Sequence, residues 1–467
     1  MAYQSPTAPV AAPSQTKQFT GSFMFKVFTI GALIALLMIP LLMVDSLVDE
    51  RKAREREAKD GIAMGWAPRL QLSGPMLVIP YKGFVDSEEY YGGVMRKVTR
   101  EVTNYIYFFP NTLKVNADAK VSERRRGIFK ANIFSSEMKI AGEFGRIDVR
   151  KYDIPDENIF WNQAFIMVTT PNGKSVSGEP IIKMNDLELR FQSRWQEKYI
   201  SSYHLRADIG DARKLLIGER HPFSFDLTVR GTEDLFFIPS ANDFSVNVTS
   251  DWPTPSFQGV SLPFEQKLSK KGFSASWTDS LQDHNASVTG TTFENISMPN
   301  LAGTAFGVTF FDSVDKYQQT ERTIKYGMLF ILLTFLSFFL FEIKAKLQLH
   351  PFQYLLIGSA NCMFYLLLLS LSEHLEFGAS YLIASASVVL LIAGYAKAIL
   401  GQFVRSGVLS GVLTMFYGTM FFILIEQEYA LLFGSCALFL CLVTVMFLTR
   451  NINWYKVRDT SDALPQT

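Results

Sequence analysis

Hydrophobic positions along this chain obey two different periods. In six stretches, residues 23–44, 326–343, 351–372, 377–396, 406–425 and 429–449, apolar side chains follow one another almost without a charge. A helix rising about 1.5 Å per residue needs roughly 20 such residues to cross a hydrocarbon core about 30 Å thick, so each stretch is a predicted transmembrane helix. A Lys or Arg at mid-helix would cost roughly 2.5–3.5 kcal/mol, which is why the charges collect between the stretches. Between the first stretch and the rest, the pattern changes to alternation. Leu113, Val115, Ala117, Ala119 and Val121 alternate with polar residues, as do Phe223, Phe225, Leu227 and Val229, then Phe244, Val246 and Val248. Period two is the mark of half-buried strands.

These patterns predict a membrane protein with one N-terminal transmembrane helix, a large β-rich domain over residues 45–325, and a C-terminal five-helix transmembrane bundle. The charged run 46–59 contains no Pro or Gly and is expected to continue the first helix as a solvated stalk. Pro171-Asn172-Gly173, Arg230-Gly231-Thr232 and Lys271-Gly272 read as turns between strands. A mostly antiparallel sandwich is the expected middle domain. Residues 1–22, rich in Ala, Pro, Ser, Thr and Gln, read as a disordered cytoplasmic tail, and residues 450–467 as a second one. No small-residue cleavage site follows Val44, so the first span is expected to remain as an anchor.

Charge sets the orientation. Lys344, Lys346, Lys397, Arg405 and Arg450 fall in one set of short connections, while Glu373-His374-Leu375-Glu376 and Glu426-Gln427-Glu428 contain no cation. The positive-inside rule therefore puts both termini in the cytoplasm and the middle domain outside it. Arg51, Lys52, Arg54, Arg56 and Lys59 run against this assignment, but long domains translocate largely regardless of charge. With 45 basic and 44 acidic residues the chain has no field to draw nucleic acid, and the lipid bilayer is its evident partner. The three cysteines, Cys362, Cys436 and Cys441, all lie in apolar stretches, so the middle domain has neither a disulfide nor a cysteine metal site.

Chemistry-bearing motifs are sparse. His204, His221 and His284 stand at no metal-binding spacing, and neither HExxH nor GxSxG occurs. Pro171-Asn172-Gly173-Lys174-Ser175 ends like a phosphate loop, but Val168 occupies the place of its first glycine, and a turn is the expected structure. No catalytic residue, metal or cofactor is assigned. Ionisable residues are placed at the rims of the apolar stretches, as with Glu342 and Glu426, and the pair Glu373 and His374 forms a candidate rim site. Asn361, within the third span, suits a hydrogen bond to a neighbouring helix. Gly407 and Gly411 form a GxxxG pair whose expected role is close helix packing inside the bundle, with self-association as its alternative. Asp315, Lys316, Tyr317, Glu321 and Arg322 adjoin the second span and are candidates for coupling domain to bundle.

Several collinear stretches carry a likeness. They include Leu72-Ser73-Gly74-Pro75, Ser250-Asp251-Trp252-Pro253, Asp315-Lys316-Tyr317-Gln318-Gln319-Thr320-Glu321-Arg322, His350-Pro351-Phe352-Gln353-Tyr354-Leu355 and Ser370-Leu371-Ser372-Glu373-His374. In these the chain resembles the CreD family of bacterial inner-membrane proteins over nearly everything after about residue 20. The resemblance implies an inner-membrane location, a periplasmic middle domain, and involvement in envelope integrity, envelope stress and tolerance of colicin or β-lactam challenge. It implies no reaction and transfers no catalytic residue. The expected function is a non-enzymatic membrane protein whose periplasmic domain contacts a periplasmic protein or envelope component. The alternatives are a transporter of lipid or small molecules, and a periplasmic enzyme built on the three histidines.

Overall fold

A computed structural model describes residues 23–91, 94–194, 203–216, 218–287, 289–291, 301, 303–311, 316–345, 349–425 and 429–450. Both expected tails, apart from Arg450, as well as Asp315 and the 426–428 loop lie outside the described residues. The chain divides into two units: Met1–Ala53 with Val314–Thr467, and Arg54–Ser313.

The first unit is helical. Helix α1 runs from Phe23 to Gly65 with Pro40 inside it, so the charged stretch 46–59 does extend the first apolar helix. It gives its residues up to Ala53 to this unit. Helix α2 (Lys316–Lys325) precedes α3 (Gly327–Ala345), α4 (Pro351–Ser372), α5 (Phe377–Leu400), α6 (Phe403–Ile425) and α7 (Ala430–Thr449). Among the described residues five helices are long and apolar enough to cross a membrane: α1, α3, α4, α5 and α6. The expectation of six spans is thereby corrected. The sixth stretch is a helix, but its apolar part, Leu431–Phe447, is shorter than 18 residues. The helix as a whole, Ala430–Thr449, is 20 residues long.

Helix α4 is the centre of this unit and touches α2, α3 and α5. It starts where its sequence demands. Pro351 occupies the first turn, the His350 ring accepts from Phe352 N at 3.2 Å, and Gln353 Oε1 accepts from His350 N at 3.0 Å. This reciprocal cap satisfies two donors that a helix start leaves open. Close packing rests on Gly358, where a Cβ would come within 2.1 Å of Leu37, and on Gly327, where it would come within 2.7 Å of Leu41. Gly407 and Gly411 do not share this role. Both are exposed, and a Cβ at either would meet nothing within 4 Å, which corrects the expectation that they pack inside the bundle. Their spacing puts them on one face, but that face is not the one α6 buries through Leu409, Leu413 and Tyr417.

Among the described residues, the second unit is a β domain of two nine-stranded sheets. One is centred on β1 (Leu70–Tyr91), which pairs with β2 (Val94–Phe108), β5 (Ala164–Thr169) and β12 (Asp234–Phe237). The other is centred on β3 (Thr112–Arg126), flanked by β4 (Phe129–Phe144) and β13 (Asp243–Ser250), with β11 (His221–Thr232) beside β4. Pairing is antiparallel except for β1 with β12 and β3 with β13. Every second residue of β3 from Leu113 to Ala119, and of β11 and β13, faces a shared core, in which Phe244 of one sheet lies 5.9 Å from Phe306 of the other, centroid to centroid. Arg230-Gly231-Thr232 is not a turn: β11 continues through it, because the glycine admits the Phe134 ring, which a Cβ would meet at 2.4 Å. The chain bends one residue later, at Glu233, with φ of 62°, and passes to β12 in the other sheet.

Candidate functional site

Helix α2 ends the β domain earlier than expected. Lys316–Lys325 belongs with the helical unit and not with a domain reaching residue 325, since its Tyr317, Thr320, Thr323 and Ile324 face inward against the other helices. Its hydrophilic face carries charge to α1 and to the α4–α5 connection. Lys52 of α1 donates to Glu321, which also pairs with Lys325 at 2.8 Å. Arg51, on the same turn of α1, lies 3.3 Å from Glu373 at the end of α4. The Tyr317 hydroxyl stands 3.5 Å from the same carboxylate, and Lys316 Nζ donates to Leu375 O at 3.2 Å.

Two candidate sites read separately thus become one. Lys316, Tyr317 and Glu321 converge with Glu373, while Arg322 joins none of these pairs among the described residues. His374 is exposed and contributes its backbone N–H to Leu371 O. Arg51 and Lys52, which counted only as a conflict in the charge pattern, are central members. The two lysines, Lys325 first and then Lys52, hydrogen-bond Glu321 and hold its carboxyl down at about 2, so it is ionised throughout the physiological range. The network can clamp three chain segments by charge, and its groups are only partly buried, with Arg51 33% and Glu321 26% exposed. Such pairs respond to pH, salt and substitution.

A second cluster lies at the other end of the same helices. Glu342 was expected at a rim, yet it is only 4% exposed. It accepts from Lys26 of α1, from the Tyr354 hydroxyl at 2.9 Å and from Leu349 N at 2.8 Å. Apolar flanks made it look like a border residue. Position 342 is two helical turns beyond Thr334 and one beyond Phe338, both buried, and so shares their inward face.

Within the β domain, the last turns of α1 have their own seat. Lys59 lies 3.1 Å from Glu233 and 3.3 Å from Glu55. Burial opposes its charge, but the two carboxylates outweigh that and keep its pKa above the usual lysine range. The guanidinium groups of Arg124 and Arg230 lie 5.9 and 5.0 Å from the Trp66 ring, and Lys174 donates to Met64 O at 2.7 Å at the helix end. Lys174 is therefore a helix-end cation. Asn172 accepts from Lys174 N and Ser175 N, closing the turn that the phosphate-loop likeness concealed.

The histidines do not assemble an active site. His204 and His221 are buried on β10 (His204–Gly210) and at the start of β11, and Asn185 contacts His221 Nδ1 at 3.1 Å. Burial pushes the His221 pKa down. His284 Nε2 lies 2.8 Å from Asp279, and Ser261 donates to the same carboxylate. The order is wrong for nucleophilic catalysis, which needs the imidazole between serine and carboxylate. Here the carboxylate stands between them and ties down a loop. Among the described residues no three His, Cys, Asp or Glu gather in a way that could hold a metal ion.

Residues 22–455 match the family model described as CreD, inner membrane protein CreD. Over 438 residues the chain is 31% identical to the inner membrane protein CreD of Escherichia coli (strain K12), covering 92% of this chain and 93% of that protein. Among solved structures, an M1 zinc metallopeptidase from Deinococcus radiodurans aligns with 37% of this chain and 38% of its own at 8% identity and a TM-score of 0.18. That overlap bears on neither fold nor chemistry.

Proposed function

The chain belongs to the CreD family of inner membrane proteins, and from that premise we propose that it is a non-enzymatic anchor that presents its β domain outside the cytoplasm to an envelope partner. In this reading it supports envelope integrity and tolerance of envelope stress or antimicrobials, as the family resemblance implies. The observation that carries it is the ion-paired clamp. The β domain is connected to the helical unit by two chain segments only, α1 and the one that ends in α2, and Lys52 of the first is bonded to Glu321 of the second. A helix bundle that bonds both leads of one domain to each other, and to Glu373 between α4 and α5, is built to hold and sense that domain.

The orientation belongs to the same proposal. Both termini are cytoplasmic, with Lys344, Lys397, Arg405 and Arg450 on the inner side. The pairing of Arg51 with Glu373 and of Lys52 with Glu321 supports it, because these cations carry their counter-charges with them to the outer side. A transporter would draw on Glu342 as a buried carboxylate, but Lys26, Tyr354 and Leu349 N already occupy it. An enzyme would need the histidines to converge, and they sit in three separate places.

Complementation tests the proposal. In cells lacking the protein, Lys52→Glu and Glu321→Lys, each expressed at the wild-type level, are expected to leave the envelope sensitive to β-lactam or detergent challenge. The double exchange restores the pair and is expected to recover protection. Full protection by both single variants at equal protein level would refute the clamp as the basis of function.

A further inference from the structure

Inside the helical unit, away from both charged clusters, a group of uncharged polar side chains is buried without partners. Asn361 and Tyr365 stand one turn apart on the inward face of α4, and each has no exposed surface. Among the described residues, the Asn361 amide nitrogen and the Tyr365 hydroxyl have no hydrogen-bond partner. Across from them, the Tyr417 hydroxyl of α6 stands 3.5 Å from Asn361 Oδ1, at the outer limit of a hydrogen bond. The ring of Tyr417 lies 4.4 Å from Phe330 of α3, and one turn further along that helix Thr334 is fully buried with its hydroxyl also unpartnered. Helices α4 and α6 thus bring three polar groups, one of them a full amide, together in the interior, and Thr334 of α3 is buried one turn from the ring that packs on Tyr417.

Such an arrangement is unfavourable unless something bonds to it. A buried amide or hydroxyl without a partner bears its whole desolvation cost, and lipid offers no substitute for water. The chemistry of the group defines what fits. Asn361 Nδ2 can only donate, whereas the hydroxyls of Thr334 and Tyr365 can do either, so the ligand must accept from the amide and can accept from or donate to the hydroxyls. The walls formed by Phe330, Phe364 and Tyr381 hold no charge to balance an ion, with Phe364 5.0 Å from Tyr365 and 5.3 Å from Tyr381 between centroids. A neutral ligand is required. Complete burial of all three unpartnered groups limits it to something very small. Water meets each condition: it is neutral, has two donors and two acceptors, and commonly satisfies two to four buried polar groups at once.

We propose that the helical unit contains an internal water site between α3, α4 and α6, with Thr334, Asn361 and Tyr365 as its ligands and Tyr417 bracing the Asn361 amide. This goes beyond the anchoring role, since it gives the bundle a hydrated point away from its charged ends, where the sequence shows no ionisable side chain. The site also explains why asparagine and tyrosine stand where leucine or phenylalanine would pack without cost.

Water-edited solid-state NMR on the full chain in phosphatidylethanolamine–phosphatidylglycerol bilayers, with asparagine, tyrosine and phenylalanine labelled, tests this without altering the protein. The Asn361 amide and the Tyr365 ring are expected to receive magnetisation from water as rapidly as residues at the exposed helix ends. Transfer as slow as at Phe335, or arriving from lipid protons instead, would overturn the proposal. Asn361→Leu is then expected to reduce water transfer to Tyr365 to the rate of the dry core, although the two side chains are not bonded to each other. Unchanged transfer in that variant would overturn the shared site.

Discussion

The two ends of the helical unit use the same chemistry in opposite ways. At the Lys26 end, one carboxylate, Glu342, is almost wholly buried and takes a cation, a phenol and a backbone N–H. At the Arg51 end, Glu321 and Glu373 share four partners from two chain segments, α1 and α2, and remain partly open to solvent. Removing one partner from a buried pair leaves a charge that nothing else can satisfy, while exposed pairs hold little energy each. The first arrangement locks helices together, and the second is an adjustable clamp. Glu342→Ala sharpens that contrast most. It is expected to destabilise the helical unit by about 1–3 kcal/mol, chiefly through the buried Tyr354 hydroxyl and Leu349 N–H left without an acceptor, because Lys26 can turn to solvent. Chemical unfolding in detergent would measure it. The triple variant Lys26→Met, Glu342→Leu, Tyr354→Phe is expected to recover part of the loss, since apolar groups of similar volume replace the ions and the phenol hydroxyl. A loss from Glu342→Ala no larger than from Glu373→Ala would erase the distinction between the ends.

Acid should act on the Arg51 end in a defined window. Glu321 has its carboxyl lowered from 4.5 to about 2 by Lys325 and Lys52. A folded-state value below the unfolded one means that the unfolded chain binds the proton first. The stabilisation is therefore complete above about pH 4.5 and is lost as pH falls toward 2. Its size is about 1 kcal/mol or less, because the pairs are partly solvated. Thermal unfolding of wild type and Glu321→Gln between pH 6 and 2 would show it. The two curves are expected to differ above the window and converge below it, and a constant difference throughout would mean that the carboxylate contributes by packing alone.

How much of this was legible beforehand follows from the range over which each force acts. The apolar stretches and the alternating strands were visible because solvent imposes its pattern on neighbouring residues, as in β3, where Leu113, Val115 and Ala117 point inward in turn. Sheet order was not, because β3 pairs with β13 across more than a hundred residues and no local rule chooses that partner. The candidate site divides in the same way. Lys316, Tyr317, Glu321 and Glu373 stood out one by one at the edges of apolar runs, but their union with Arg51 and Lys52 depends on which helices are neighbours. Gly231 shows the converse failure. A glycine between polar residues signals a turn, and only the Phe134 ring lying over it reveals a crowded strand.

The smallest expected effect tests the same point on a motif that sequence reading favoured. Gly407-x-x-x-Gly411 has the spacing of a packing seam, yet the glycines that admit neighbours are Gly358 and Gly327, which belong to no such pattern. Gly407→Leu and Gly411→Leu are therefore expected to change the stability of the chain by no more than about 0.5 kcal/mol, the usual range for surface positions. Gly358→Leu, forcing a side chain into Leu37 and Phe335, is expected to disrupt the fold. Thermal unfolding in detergent separates the two, and size-exclusion with light scattering on the same samples adds a sharper reading. If the leucines alter oligomeric state while leaving unfolding unchanged, the exposed glycine face serves contact between copies. If they destabilise the chain itself, α6 packs differently from the arrangement of Leu409, Leu413 and Tyr417 described above, and the separation of a locked end from an adjustable one would need redrawing.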